Sequence, residues 1–111
     1  MPKALGTVSI SPGVLAMIAR LTTISVPGVS SMASTGVGRF LSAQQGDGVK
    51  VQVVDNAVVL NLYIVAQADV AMLDLSREVQ CKVTRAIHDI VGMAVREINV
   101  HIMDVAQASA S

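Results

Sequence analysis

The chain has 111 residues, 52% hydrophobic and 14% charged, with eight basic side chains balanced by eight acidic ones. That length suits one domain, and the charge balance leaves no general field for holding nucleic-acid backbones or anionic lipid. One Phe, one Tyr and no Trp argue against stacking on unpaired bases, and the single cysteine, Cys81, excludes an internal disulfide and fits a reducing compartment.

Residues 1–5 read as a tail ahead of one domain spanning residues 6–105. Thr7 to Ile10 alternates polar and apolar residues, which predicts a short strand. Ser11-Pro12 opens a helix, with the serine as cap and the proline at a position that needs no donor. Val14, Met17, Ile18, Leu21 and Ile24 then recur at helical spacing as the expected buried stripe. Val26-Pro27 disfavours further helix and Pro27-Gly28 marks a turn. Val29 to Ala33 reads as a second strand. Ser34 to Gly48 is a long irregular stretch with Gly36, Gly38, Gly46 and Gly48, and a loop of that length is expected to have a use.

Val49 to Val54 and Ala57 to Ala66 are the clearest strands, joined at Asp55-Asn56, two residues that tolerate the left-handed geometry of a tight hairpin. Val49, Val51 and Val53 share one face, as do Val58, Leu60, Leu62 and Ile64. Lys50, Gln52, Asn61 and Tyr63 point the other way. A second helix is expected from Met72 to Val91, with Leu75, Val79, Val83, Ala86, Ile87 and Ile90 as its buried stripe. Glu78 and Lys82 lie one turn apart for an ion pair, and Gly92 is placed to end the helix. The last strand, Glu97 to Val105, turns Ile98, Val100 and Ile102 inward. Residues 106–111 are a small polar tail expected to be disordered. The predicted fold is a two-layer α+β domain in the order β-α-β-β-β-α-β. Its mostly antiparallel sheet has about four to five strands, with both helices on one face.

The chain offers little for catalysis. His88 and His101 have no neighbouring ligands at metal spacing, and Cys81 has no adjacent group that would lower its thiol pKa. Asp69 and Asp74 fit better as favourable charge near a helix start than as an acid–base pair. The Gly-x-Gly within Gly36 to Phe40 lacks the third glycine and the following helix of a phosphate loop. The expectation is therefore a protein with no enzymatic activity, no cofactor and no metal. Arg39 and Phe40 remain candidates for a partner contact, being residue types enriched at binding hot spots. No apolar stretch reaches the ~18 to 20 residues of a membrane span, and no signal peptide is evident.

The most informative expected feature is the sheet face that neither helix covers. Gln52, Val54, Val59, Asn61, Tyr63, Val65, Asn99, His101 and Met103 should lie there, with Thr7 and Ser9. That surface mixes apolar side chains and amides with few charges, which suits self-association or docking of a partner better than lasting exposure to water.

The segment ISPGVLAMIARLTTISVPGV resembles the opening of the alkaline shock protein family of bacterial envelope stress-response proteins, through Ile10, Pro12, Val14, Val26, Gly28 and Val29. VVLNLYIV at Val58 to Val65 is similar to the family's hairpin strand, with Asn61 where Asp is common. Glu78 to Val105 resembles its closing helix and strand. The resemblance implies a cytoplasmic, non-catalytic structural protein that self-associates and is held near the membrane by a separate membrane-anchored partner. It implies no direct membrane insertion and no nucleic acid. Some relatives are housekeeping proteins linked to lipid metabolism. The chain departs from the resemblance in showing no long charged terminal extensions like those of several members, and in having Gln67-Ala68-Asp69 where Tyr-Gly is common. The rival readings are a small RNA-binding module and an enzyme or ligand-binding domain using the Ser34 to Gly48 loop.

Overall fold

The computed structural model describes Gly6, residues 8–33 and residues 48–107. Helix α1 (Pro12–Ile24) is capped by Ser11, whose side chain accepts from the Val14 amide at 3.3 Å. It ends where Val26 turns inward ahead of Pro27 and is itself buried. Strand β1 (Val29–Met32) follows, then β2 (Val49–Val54) and β3 (Ala57–Gln67). Asp55 and Asn56 carry φ of 52° and 63°, the left-handed pair that a two-residue hairpin requires. Helix α2 (Met72–Ala86) widens into one π turn over Ile87–Val91, and β4 (Ala94–Ala106) closes the chain. Gly92, at φ 83°, ends the π turn, its amide donating to the His88 carbonyl at 3.0 Å.

The fold is α+β, with four strands in one sheet. β3 is its axis. β4 runs parallel to β3 along its whole length, from Ala57 opposite Ala94 to Gln67 opposite Ala106. The parallel direction follows from the connection, since α2 carries the chain back across the sheet. β1 and β2 both run antiparallel to β3, β2 along Ala57 to Leu62 and β1 along Ile64 to Ala66. With β4 on one edge of β3, β1 and β2 share the other as one interrupted strand. The interruption is held at Tyr63. Its carbonyl accepts from the Ala33 amide at 2.7 Å, and its amide donates to the Gly48 carbonyl at 2.8 Å. Ala33 and Gly48 thus meet β3 at the same residue.

Helices and sheet enclose one core, with Leu15, Val58, Leu60, Leu62, Ile64, Val79, Val83 and Ile87 fully buried. The inward set predicted for β3 is the observed one. Ile98, Val100 and Ile102 of β4 pack against the same core.

Four expectations are corrected. Val8 to Ile10 form no regular structure, so the leading strand is absent there; Thr7 lies outside the described residues. Val8 is 89% exposed, and among the described residues no strand pairs with the segment. Helix α1 turns inward Leu15, Ala16, Ala19 and Thr23, leaving Val14, Met17, Leu21 and Ile24 exposed. The small side chains let the helix backbone approach the sheet, and Thr23 loses no hydrogen bond because its hydroxyl donates to the Ala19 carbonyl at 2.7 Å. On α2, Ile90 is exposed rather than buried, because the π turn rotates the chain beyond Ile87 and sends Val91 toward the core instead. Finally, β4 is longer at both ends than expected and takes in Ala106, which had been assigned to the tail.

Candidate interaction surface

The sheet face opposite the helices is built by alternation along three strands. Pairing places Gln52 opposite Val59, Val54 opposite Ala57 and Lys50 opposite Asn61. On the other side of β3, Asn99 lies opposite Asn61 and His101 opposite Tyr63. Val59, Asn61, Tyr63, Val65, Asn99 and His101 are half-buried, while Gln52 and Val54 are exposed. The structure thus brings eight of the predicted face residues together.

Ser9 lies in no strand and so is not part of the face, and Met103 is a second exception. β4 carries two register shifts against β3, one between Val58 and Val59 and one between Ile64 and Val65. The second skips Met103 and sets Asp104 opposite Val65, so Met103 has no place in the ladder and is 56% exposed. A bulge inserts a residue and shifts every later side chain by one, which strict alternation cannot anticipate. Arg39 and Phe40 lie outside the described residues.

At the centre of the face is a network that joins β3 to β4. Asn61 Oδ1 accepts from Asn99 Nδ2 at 3.2 Å and lies 3.0 Å from His101 Nε2. An amide oxygen only accepts, so the ring nitrogen facing it carries a proton. Asn99 also donates to Glu97 Oε2 at 2.8 Å. The His101 and Tyr63 rings stack with centroids 4.6 Å apart and planes 12° from parallel. Lys50 Nζ lies 5.5 Å from the Tyr63 ring centroid, within reach of a cation–π contact. Lys50, Glu97 and Asp104 complete this surface beyond the residues expected there. Their signal was their position in the alternation, with the Asp104 position legible only once the bulge is known.

The remaining reactive side chains are dispersed. Cys81 is exposed on α2. His88 is exposed and pairs with Asp89 at 3.2 Å, and Glu78 meets Lys82 at 3.7 Å as the spacing predicts. Among the described residues no group of three or more His, Cys, Asp or Glu side chains converges as a metal site would require. Among the same residues no helix is long and apolar enough to cross a membrane. An open groove of about 830 Å³ runs between α2 and the start of β4, lined by Arg77, Gln80, Cys81, Thr84, Arg85 and Val95 among others.

Among solved structures the chain is similar to variants of the MamM CTD. One has 13% identity and a TM-score of 0.57, covering 86% of this chain and 93% of that one. A copper form of the same domain has 11% identity and a TM-score of 0.57, covering 87% of this chain and 86% of that one. At such identity the likeness concerns the fold alone. Among curated proteins, the uncharacterized protein YqhY of Bacillus subtilis (strain 168) is 31% identical over 105 residues, covering 91% of this chain and 78% of that protein. The uncharacterized protein Spy1535 of Streptococcus pyogenes serotype M6 is 30% identical over 100 residues, covering 88% and 78%. A sequence model of the alkaline shock protein 23 family, described by a cell envelope-related function, matches residues 1–107. The chain therefore belongs to the alkaline shock protein 23 family.

Proposed function

We propose that this protein is a non-catalytic structural component of the envelope stress-response type. In this reading it acts by self-association and by docking to a partner that carries the membrane anchor, and it resides in the cytoplasm until that partner holds it at the membrane. The observation that carries the reading is the one-sided sheet. Both helices cover the same face, and the other presents Val54, Val59, Tyr63 and Val65 around an amide and imidazole network with little net charge. Covering such a surface removes apolar area from water at roughly 25 cal/mol per Å², while the network is already hydrogen-bonded and costs little to enclose. The family's cell envelope-related function agrees with this reading.

The test is mass in solution across a concentration series, followed by light scattering. The wild-type chain should form species beyond the monomer. Val59→Lys and Tyr63→Glu should remove the largest of them, weakening face-to-face association by at least about tenfold while circular dichroism stays native. Docking is read by sedimentation with membranes. Binding should need intact membrane proteins, and binding to protein-free vesicles would contradict an anchor supplied by a partner. A chain that stays monomeric at every concentration refutes self-association.

A further inference from the structure

The groove between α2 and the start of β4 has a one-sided chemistry. Along α2 it is walled by Arg77, Cys81, Thr84 and Arg85, which share one side of the helix over two turns. At β4 it is lined by Ala94 and Val95. The other ions on and beside this stretch are already matched. Glu78 meets Lys82 at 3.7 Å, His88 meets Asp89 at 3.2 Å, and Arg96 of β4 meets Asp55 at 3.8 Å. Among the described residues neither Arg77 nor Arg85 has an ion pair. Asp89, the one carboxylate among the described lining residues, is taken by His88. A chain without net charge thus sets two guanidinium groups lacking an anion in a single groove.

From this, and resting on the partner-docking part of the reading above, we infer that the groove binds an extended acidic segment of a protein partner, its carboxylates held by Arg77 and Arg85. A guanidinium suits that role because its planar fork meets a carboxylate with two parallel N–H donors. The spacing suits an extended chain. Eight residues of helix, at roughly 1.5 Å each, set the two arginines about 12 Å apart along the axis. In a strand, residues four apart point to the same side and lie about 13 Å apart. β4 supplies the matching main chain. Among the described residues it pairs only with β3, so its outer edge is open to a further strand. Gln80 Nε2, in the groove wall, donates to the Ile98 carbonyl at 3.1 Å, so the β4 main chain already accepts a donor from this side. An acidic strand in the groove would extend that pattern with its own amides while its carboxylates neutralise the arginines.

The test uses the full chain and a fluorescein-labelled peptide of alternating threonine and valine in which two aspartates stand four positions apart. Fluorescence anisotropy should show binding that weakens as salt rises. Setting the aspartates five apart, on opposite sides of the strand, should weaken it at least about threefold, and replacing both by asparagine roughly tenfold. Arg77→Gln and Arg85→Gln should each weaken binding about threefold, and together roughly tenfold, as exposed ion pairs do. Lys82→Gln, which removes a lysine already paired with Glu78, should change it less than about twofold. Cys81, the chain's one cysteine, lines the groove between the two arginines, so bound peptide should slow its alkylation by iodoacetamide at least about threefold. No binding, binding indifferent to both arginines, or protection of Cys81 matched by inorganic phosphate at equal concentration overturns the assignment. To separate it from docking itself, the chain carrying both glutamine substitutions is sedimented with membranes that retain their proteins. Wild type should sediment and the variant should not. If both sediment alike, docking stands and the groove is not its site. If neither sediments, the docking reading fails, and the peptide result alone decides the groove.

Discussion

Asn61 shows how much of the candidate surface turns on single atoms. Its one side-chain oxygen holds both Asn99 and His101, so Asn61→Ala removes an acceptor from two half-buried donors at once. The expected loss is about 1 to 2 kcal/mol in chemical denaturation, and a cycle with His101→Ala should show coupling of about 0.5 to 1.5 kcal/mol. The same geometry predicts that nitrogen-15 spectra of the neutral imidazole report the Nε2–H tautomer; an Nδ1–H form would mean that His101 does not donate to Asn61. In the core, Leu62 is fully buried, and Leu62→Ala should cost about 2 to 5 kcal/mol. Gly48 combines a φ of 79° with a site where an added Cβ would lie 2.8 Å from the Tyr63 carbonyl oxygen. Gly48→Ala should therefore cost more than about 1 kcal/mol and disturb the point where β1 and β2 join on Tyr63.

At the scale of elements, α1 shows where periodicity misleads. Its outer positions are as apolar as its inner ones, so spacing alone picks the larger residues, while packing picks the smaller. Met17→Lys, on the exposed stripe, should change stability by less than about 0.5 kcal/mol, whereas Ala19→Leu, at a fully buried site, should cost about 1 to 3 kcal/mol. Comparing the two denaturation midpoints decides which face is inward. Helix α2 was legible through Val83 and Ile87 because charged residues mark its outer side. It ceased to be legible where the π turn shifted the phase at Ile90. The hairpin at Asp55-Asn56 and the cap at Gly92 were legible because left-handed backbone restricts the residues that adopt it.

For the whole molecule, the expected outcome is a mass that rises with concentration and falls toward the monomer in Val59→Lys. The amino-acid sequence by itself determined the α+β class, both helices, the hairpin and the inward set of β3, because each depends on neighbours a few positions apart. It also placed Asn61, Tyr63, Asn99 and His101 on one face, since alternation holds between the two bulges of β4. Only the tertiary structure decided that β1 and β2 form one interrupted edge, that β4 runs parallel to β3, and that α1 turns its small residues inward. Those choices depend on which strand edges and helix faces fit together across long separations, a matter of shape and register that no local pattern of residue types contains.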